Sequence, residues 1–134
     1  MGRQRAPLAT LPTTRHLQVL NMVAHVRPLQ LQEWLDSVRG HGDPVVLDVR
    51  EPSELRTASV KADGFELITI PMGVIPPRLS ELDPHQPVAC LCHHGGRSMQ
   101  VANFLKARGF KHVANIAGGI NAWSSEVDPS VPRY

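Results

Sequence analysis

Val88-Ala89-Cys90-Leu91-Cys92-His93-His94-Gly95-Gly96-Arg97-Ser98 runs from five apolar residues, through a turn with two glycines, to the start of a helical stripe. A continuous apolar run of that length suits a strand buried on both faces, as in a parallel sheet. Ser98, Val101, Ala102 and Leu105 then recur at helical spacing, and Gly109 suits the residue just past the helix end. Strand, glycine turn and helix together make one unit of an α/β fold.

The same alternation extends in both directions. Upstream, Leu31, Trp34, Leu35 and Val38 mark one face of a helix ending at Gly40. Val45 to Val49 forms a second buried strand, and Pro52 opens a helix from its first turn. Phe65 to Ile70 is a further strand, stopped by Pro71, and Val74 to Leu82 is expected as a short helix with Pro76 and Pro77 at its start. Downstream, His112 to Ile116 is a fourth strand, and Gly118-Gly119 leads into a last helix carrying Trp123. The tail from Asp128, with Pro129 and Pro132, is expected to be extended. Alternating strands and helices predict a doubly wound, mostly parallel central sheet with helices on both faces. In such a sheet the site lies off the carboxyl ends of the strands, after Val49, Ile70, Cys92 and Ile116.

Composition agrees with one globular domain. The 134 residues are 42% hydrophobic and 19% charged, too apolar for a disordered chain and too short for a comfortable second domain. No apolar run nears the roughly 18 to 20 residues of a membrane helix, so no membrane partner is expected. The net charge of +2 is unevenly spread. Residues 1 to 32 hold four arginines and no acid, so the basic excess belongs to a leader; with no interleaved aromatics, nucleic acid is not expected as a partner. Residues 1–27 read as an N-terminal extension, poorly ordered or packing late on the domain, with Met22 as an alternative start; residues 28–134 read as the domain.

The cysteine turn carries the chemistry. No acid stands between Asp83 and Glu126, while Arg97, Lys106, Arg108, Lys111 and four histidines do, so this stretch favours anions. A strand-to-helix turn with two glycines lets successive N–H groups point inward as an anion-binding nest, and the next helix adds its positive end. Cys92 is expected at the rim of that nest, where these groups and Arg97 favour the thiolate, the nucleophilic form. Cys90 is expected as apolar filler. A metal site from Cys90, Cys92, His93 and His94 is disfavoured, because strand residues alternate faces and four ligands in five residues cannot converge tetrahedrally. His93 and His94 are expected to shape the pocket entrance, and a disulfide between Cys90 and Cys92 would be strained.

These landmarks resemble a known family. Val46-Leu47-Asp48-Val49-Arg50-Glu51-Pro52, Ile70-Pro71-Met72, Cys92 to Ser98, and Ile116-Ala117-Gly118-Gly119-Ile120-Asn121-Ala122-Trp123 follow in the order of a single-domain rhodanese, or thiosulfate sulfurtransferase-like, protein. The resemblance spans about residues 28 to 126. It implies a cytoplasmic sulfurtransferase that needs no cofactor. Cys92 would take a sulfane sulfur from a small anionic donor such as thiosulfate, carry it as a persulfide, and pass it to cyanide or a thiol. By position, His93, His94, Gly95, Gly96, Arg97 and Ser98 form the substrate loop, which Arg97 closes. Asp48 and Arg50 would stand behind it, either supporting the site or simply pairing to hold the strand end. A sulfur-accepting protein is a further partner consistent with the resemblance, as monomer or homodimer.

Four residues separate Cys92 from Arg97. Relatives of this fold that cleave phosphate esters have five, which widens the cradle for a phosphate, so the loop favours sulfur over a phosphatase. A non-catalytic sulfur-relay or protein-binding module is the other reading. The segment Ala58 to Leu67 departs from the family's usual pattern beside the site, which bears on the pocket wall and the choice of donor.

Overall fold

The computed structural model describes residues 23–134, so expectations for residues 1–22, Met22 as a start among them, lie outside the described residues. Five strands form one sheet: β1 (Ala24–Val26), β2 (Val45–Asp48), β3 (Glu66–Thr69), β4 (Val88–Leu91) and β5 (Val113–Ile116). Their order is β1-β5-β4-β2-β3, and every neighbouring pair is parallel. Helices α1 (Leu31–Val38), α2 (Pro52–Thr57), α3 (Gly96–Ala107) and α4 (Gly119–Glu126) alternate with the strands. The α/β class and the parallel central sheet are those expected from the alternation.

Every residue of β2, β4 and β5 is buried. Successive side chains feed two separate cores, because a strand's side chains alternate between faces. Val45, Leu47, Val88 and Cys90 face one way and meet Val101, Leu105 and Phe110. Val46, Ala89, Leu91 and Ala114 face the other and meet Leu31, Leu35, Ile120 and Trp123. This is why β4, and β2 up to Asp48, are continuously apolar. β3 is an edge strand, exposed or half-buried along its length.

Two local expectations are corrected. The sheet has a fifth strand, β1, within the stretch read as extension; it pairs with β5 in register Ala24 to Ala114 and Val26 to Ile116. Three residues give no periodic signal, and only the pairing with β5 makes them a strand. The helix expected over Val74 to Leu82 is instead two 3-10 turns, Met72–Val74 and Leu79–Glu81. Pro76 and Pro77 have no N–H to donate, so a continuous α ladder cannot pass through them.

Elsewhere the ends fall where the chemistry puts them. α1 passes into a 3-10 turn, Arg39–His41, and reverses at Gly42 with φ of 132°. α3 buries Ser98, Val101, Ala102 and Leu105, and Gly109 follows its C-cap with φ of 93°.

Candidate active site

β4 ends at Leu91, and the chain turns through Cys92 to Gly95 into α3 at the carboxyl edge of the sheet. Gly95 caps α3 with φ of 111°, a left-handed geometry that suits glycine. The turn brings two amides onto the sulfur: Gly95 N–H donates to Cys92 Sγ at 3.1 Å, and Ser98 N–H at 3.3 Å. Ser98 Oγ lies 3.2 Å from the same sulfur. The nest expected from the glycine turn is therefore built, with the N-terminal end of α3 behind it. Cys92 is not at its rim, however. The residue is 1% exposed and lies beneath the loop, because the loop folds back over it to deliver those amides. Cys90 points into the apolar core of β4, where burial pushes its thiol up, with Cys92 adding to the effect, so it stays a filler. Neither cysteine is in a disulfide.

The floor of the loop is held from α4. Ile120 N–H donates to the Cys92 carbonyl at 2.9 Å, and Asn121 N–H to the His93 carbonyl at 3.1 Å. Gly119 packs its Cα against those same two carbonyls, and a Cβ there would overlap them. The Gly118-Gly119 pair is thus as much part of the site as Gly95-Gly96.

Arg97 turns outward to a carboxylate that the local sequence lacks. Its Nη1 and Nη2 each donate to Glu54 on α2 at 2.8 Å, a bidentate pair. Arg97 thereby holds the Glu54 carboxyl far below the ordinary range, at about 2, and is itself pushed up by the same bond. Asp48 and Arg50 form a buried ion pair of 2.8 Å, 1% and 0% exposed. Arg50 also donates to the Ala58 carbonyl at 2.8 Å and to Tyr134 Oη at 3.0 Å. Among the described residues neither Asp48 nor Arg50 hydrogen-bonds to residues 92–98. They reach the loop indirectly, since Tyr134 Oη donates to Glu54 Oε1 at 2.9 Å and Glu54 holds Arg97. The unusual connection begins at that contact, with Ala58 and Val60 buried beside it.

Tyr134 also covers the loop. Its ring stacks on His93 with centroids 3.8 Å apart and planes within 4°, and His94 stacks on the other side of His93 at 3.9 Å. His93 Nε2 lies 2.7 Å from the Tyr134 main-chain oxygen. Burial raises the Tyr134 phenol, against the pull of Arg50, so it remains a neutral donor to Glu54. His93 and His94, expected to shape the pocket entrance, stack on one another at the loop, and the tail stacks on them through Tyr134.

Three residues of this arrangement were not legible as site residues: Glu54, Tyr134 and Asn115. Asn115 on β5 lies 2.5 Å from Ser98 Oγ and donates to the Gly95 carbonyl at 3.3 Å. Glu54 had a faint signal, as an acid at the third position of a helix that also closes a capping box with Glu51. Among the described residues no group of three or more His, Cys, Asp or Glu is placed to hold a metal ion. No helix among them is long and apolar enough to cross a membrane.

Comparison with known proteins gives the same picture. The Rhodanese-like domain family matches residues 31–126. The chain is 43% identical over 126 residues to the Rhodanese-like/PpiC domain-containing protein 12, chloroplastic, of Arabidopsis thaliana, covering 88% of this chain and 40% of that protein. It is 33% identical over 89 residues to a sulfurtransferase of Allochromatium vinosum, covering 66% of this chain and 79% of the relative. The crystal structure of a rhodanese-related protein from Thermoplasma volcanium superposes with a TM-score of 0.65 at 29% identity, covering 83% of this chain and 99% of that one. The chain thus spans well under two thirds of the Arabidopsis relative's length and most of the other two. The matched residues take in α1 to α4 and β2 to β5, the Cys92 turn included, and the chain belongs to the Rhodanese-like domain family.

Proposed function

We propose that the protein is a sulfurtransferase that carries a sulfane sulfur on Cys92. The observation that carries this reading is the convergence of the Gly95 and Ser98 amides on Cys92 Sγ. Such donors favour a negative charge on sulfur. With thiosulfate, the Cys92 thiolate attacks the outer sulfur. A new S–S bond forms, the S–S bond of thiosulfate breaks, and sulfite leaves with the bonding pair. The persulfide then carries the charge on its terminal sulfur. Cyanide attacks that sulfur, thiocyanate departs, and the Cys92 thiolate is restored; a thiol acceptor removes the sulfur in the same way. No electron enters or leaves, so no redox cofactor is required.

His93, His94, Gly95, Gly96 and Arg97 form the wall through which a donor reaches the sulfur. Arg97 can offer its charge to a donor anion only in competition with Glu54. Asp48 and Arg50 act at a distance, holding the end of β2 and, through Tyr134, the Glu54 carboxylate.

Incubation with thiosulfate, followed by intact-mass measurement, should leave the chain heavier by one sulfur atom. Cys92→Ser should abolish both that gain and thiocyanate formation. Retention of full activity by Cys92→Ser would show that another group is the nucleophile.

A second reading is favoured by the coverage of the Arabidopsis relative, of which this chain matches only 40%. There the same domain is part of a longer protein, so it can also serve as a relay that receives sulfur from one protein and hands it to another. Sulfur loading from a protein persulfide, with little turnover on thiosulfate, is the result this reading expects.

A further inference from the structure

Asn115 is 3% exposed on β5, with its amide between the reactive loop and the start of α3. Its Nδ2 donates to the Gly95 carbonyl at 3.3 Å, and its Oδ1 lies 2.5 Å from Ser98 Oγ. The amide cannot be turned over. That would set Oδ1 against the Gly95 oxygen, two acceptors with no proton between them. Oδ1 therefore faces Ser98, and the proton in that bond is the single proton of the Ser98 hydroxyl.

This has a consequence 3.2 Å away, at Cys92 Sγ. With its proton committed to Asn115, Ser98 Oγ can only accept from the sulfur, so the proton on that line is the thiol's own. A charged sulfur has no proton to give and would face a lone pair. The Ser98 hydroxyl must then rotate toward the sulfur, which strips the buried Asn115 oxygen of its partner.

We propose that Asn115 is a positioning residue: by holding the Ser98 hydroxyl it weights Cys92 toward the thiol, and release of that hydroxyl lets the loop take up a charged sulfur. The inference deepens the sulfur-carrier reading and rests on it for its meaning, but its test measures no sulfur transfer. The charged and titratable groups around the sulfur are Arg97 on α3, Cys90 on β4, and His93 and His94 in the loop. Beyond them stand Glu54 on α2 and Tyr134 in the tail, with Asp48 and Arg50 paired on the β2 side. Among the described residues none of these hydrogen-bonds to Sγ. The only partners it has there are the Gly95 amide and the amide and hydroxyl of Ser98.

The test is the pH dependence of iodoacetamide alkylation, mapped to Cys92 by mass, in the full chain and in Asn115→Leu, Ser98→Ala and the double variant. Leucine keeps the branched shape and removes the acceptor, along with the donor to Gly95. Asn115→Leu should move the profile to lower pH by about half a unit, a roughly threefold gain in rate on its acid side. In the Ser98→Ala background the same substitution should do nothing, because there is no hydroxyl left to hold. An unmoved profile in Asn115→Leu, or an equal shift in both backgrounds, overturns the proposal. A merely structural Asn115 would lower stability without this dependence on Ser98. A second readout keeps Asn115 and Ser98 intact and needs no folded Asn115 variant. In Cys90→Ala, the Cys92 S–H Raman band at acid pH should lie below that of a thiol that donates to nothing, and a band at the free position also overturns the proposal.

Discussion

Glu54 and Arg97 stand 43 residues apart in the chain and meet through two parallel bonds of 2.8 Å. The loop that looked free of acids is therefore faced by one, supplied from the helix that follows β2. The pair fixes the outer end of Arg97 and offsets its charge.

The pair has a definite pH window. The Glu54 carboxyl is lowered from 4.5 to about 2 in the folded protein, chiefly by its bond to Arg97. A lowered carboxyl contributes stability that is full above its unfolded value and is lost as pH falls through the folded one. Unfolding of the native chain and of Glu54→Gln in urea should therefore differ at neutral pH and converge near pH 2. Arg97 is 35% exposed, so solvent screening holds the difference to about 1 kcal/mol or less. A gap of equal size at both extremes would contradict the assignment.

Among the described residues Arg50 is the largest fully buried side chain, with Asp48 beside it. Removing one partner of a buried pair strands the other charge, at a cost of roughly 3–5 kcal/mol. Arg50→Ala should lose stability on that scale in denaturant unfolding. Arg50→Met combined with Asp48→Leu should lose much less, because no charge is left behind in the interior.

Gly119 has φ of 60° and touches the Cys92 and His93 carbonyls. Gly119→Ala adds a methyl where there is no space, on a backbone that costs an L-residue roughly 1–2 kcal/mol. Thermal unfolding should show the loss. Thiocyanate formation should fall further than the folded fraction does, because the methyl pushes directly on the loop that carries Cys92.

The two cysteines should separate cleanly. Cys90 is fully buried, and its thiol is pushed up by that burial. Cys90→Ala should still gain one sulfur from thiosulfate, as judged by intact mass. Loss of loading in this variant would show that the carrier had been misassigned, or that the two sulfurs act together.

Tyr134 joins Arg50 to Glu54 through its hydroxyl and covers His93 with its ring. Tyr134→Phe keeps the stack and removes both hydrogen bonds. A stability loss of about 1–2 kcal/mol is expected for two such bonds, with the ring contact to His93 retained in the aromatic NMR shifts. Unchanged stability would mean that the hydroxyl bridge contributes nothing in solution.

Periodicity alone determined the alternation of strands and helices. Val88 to Cys92 is apolar at every position, and Val45 to Val49 at every position but Asp48, because both sides of the sheet are covered, and no amphipathic strand would read that way. The Cys92 to Ser98 turn was legible as well, since an amide nest needs only local backbone geometry, which the glycines permit. What lay beyond reach depended on pairing across the chain. Ala24–Val26 is a strand only because β5 stands beside it. Pro76 and Pro77 turned an expected helix into two short turns. Glu54, Asn115 and Tyr134 enter the site from three other elements. A residue's own neighbours fix its backbone preference, but which side chain ends up against a sulfur is set by how the sheet orders its strands, and that order is a property of the whole fold.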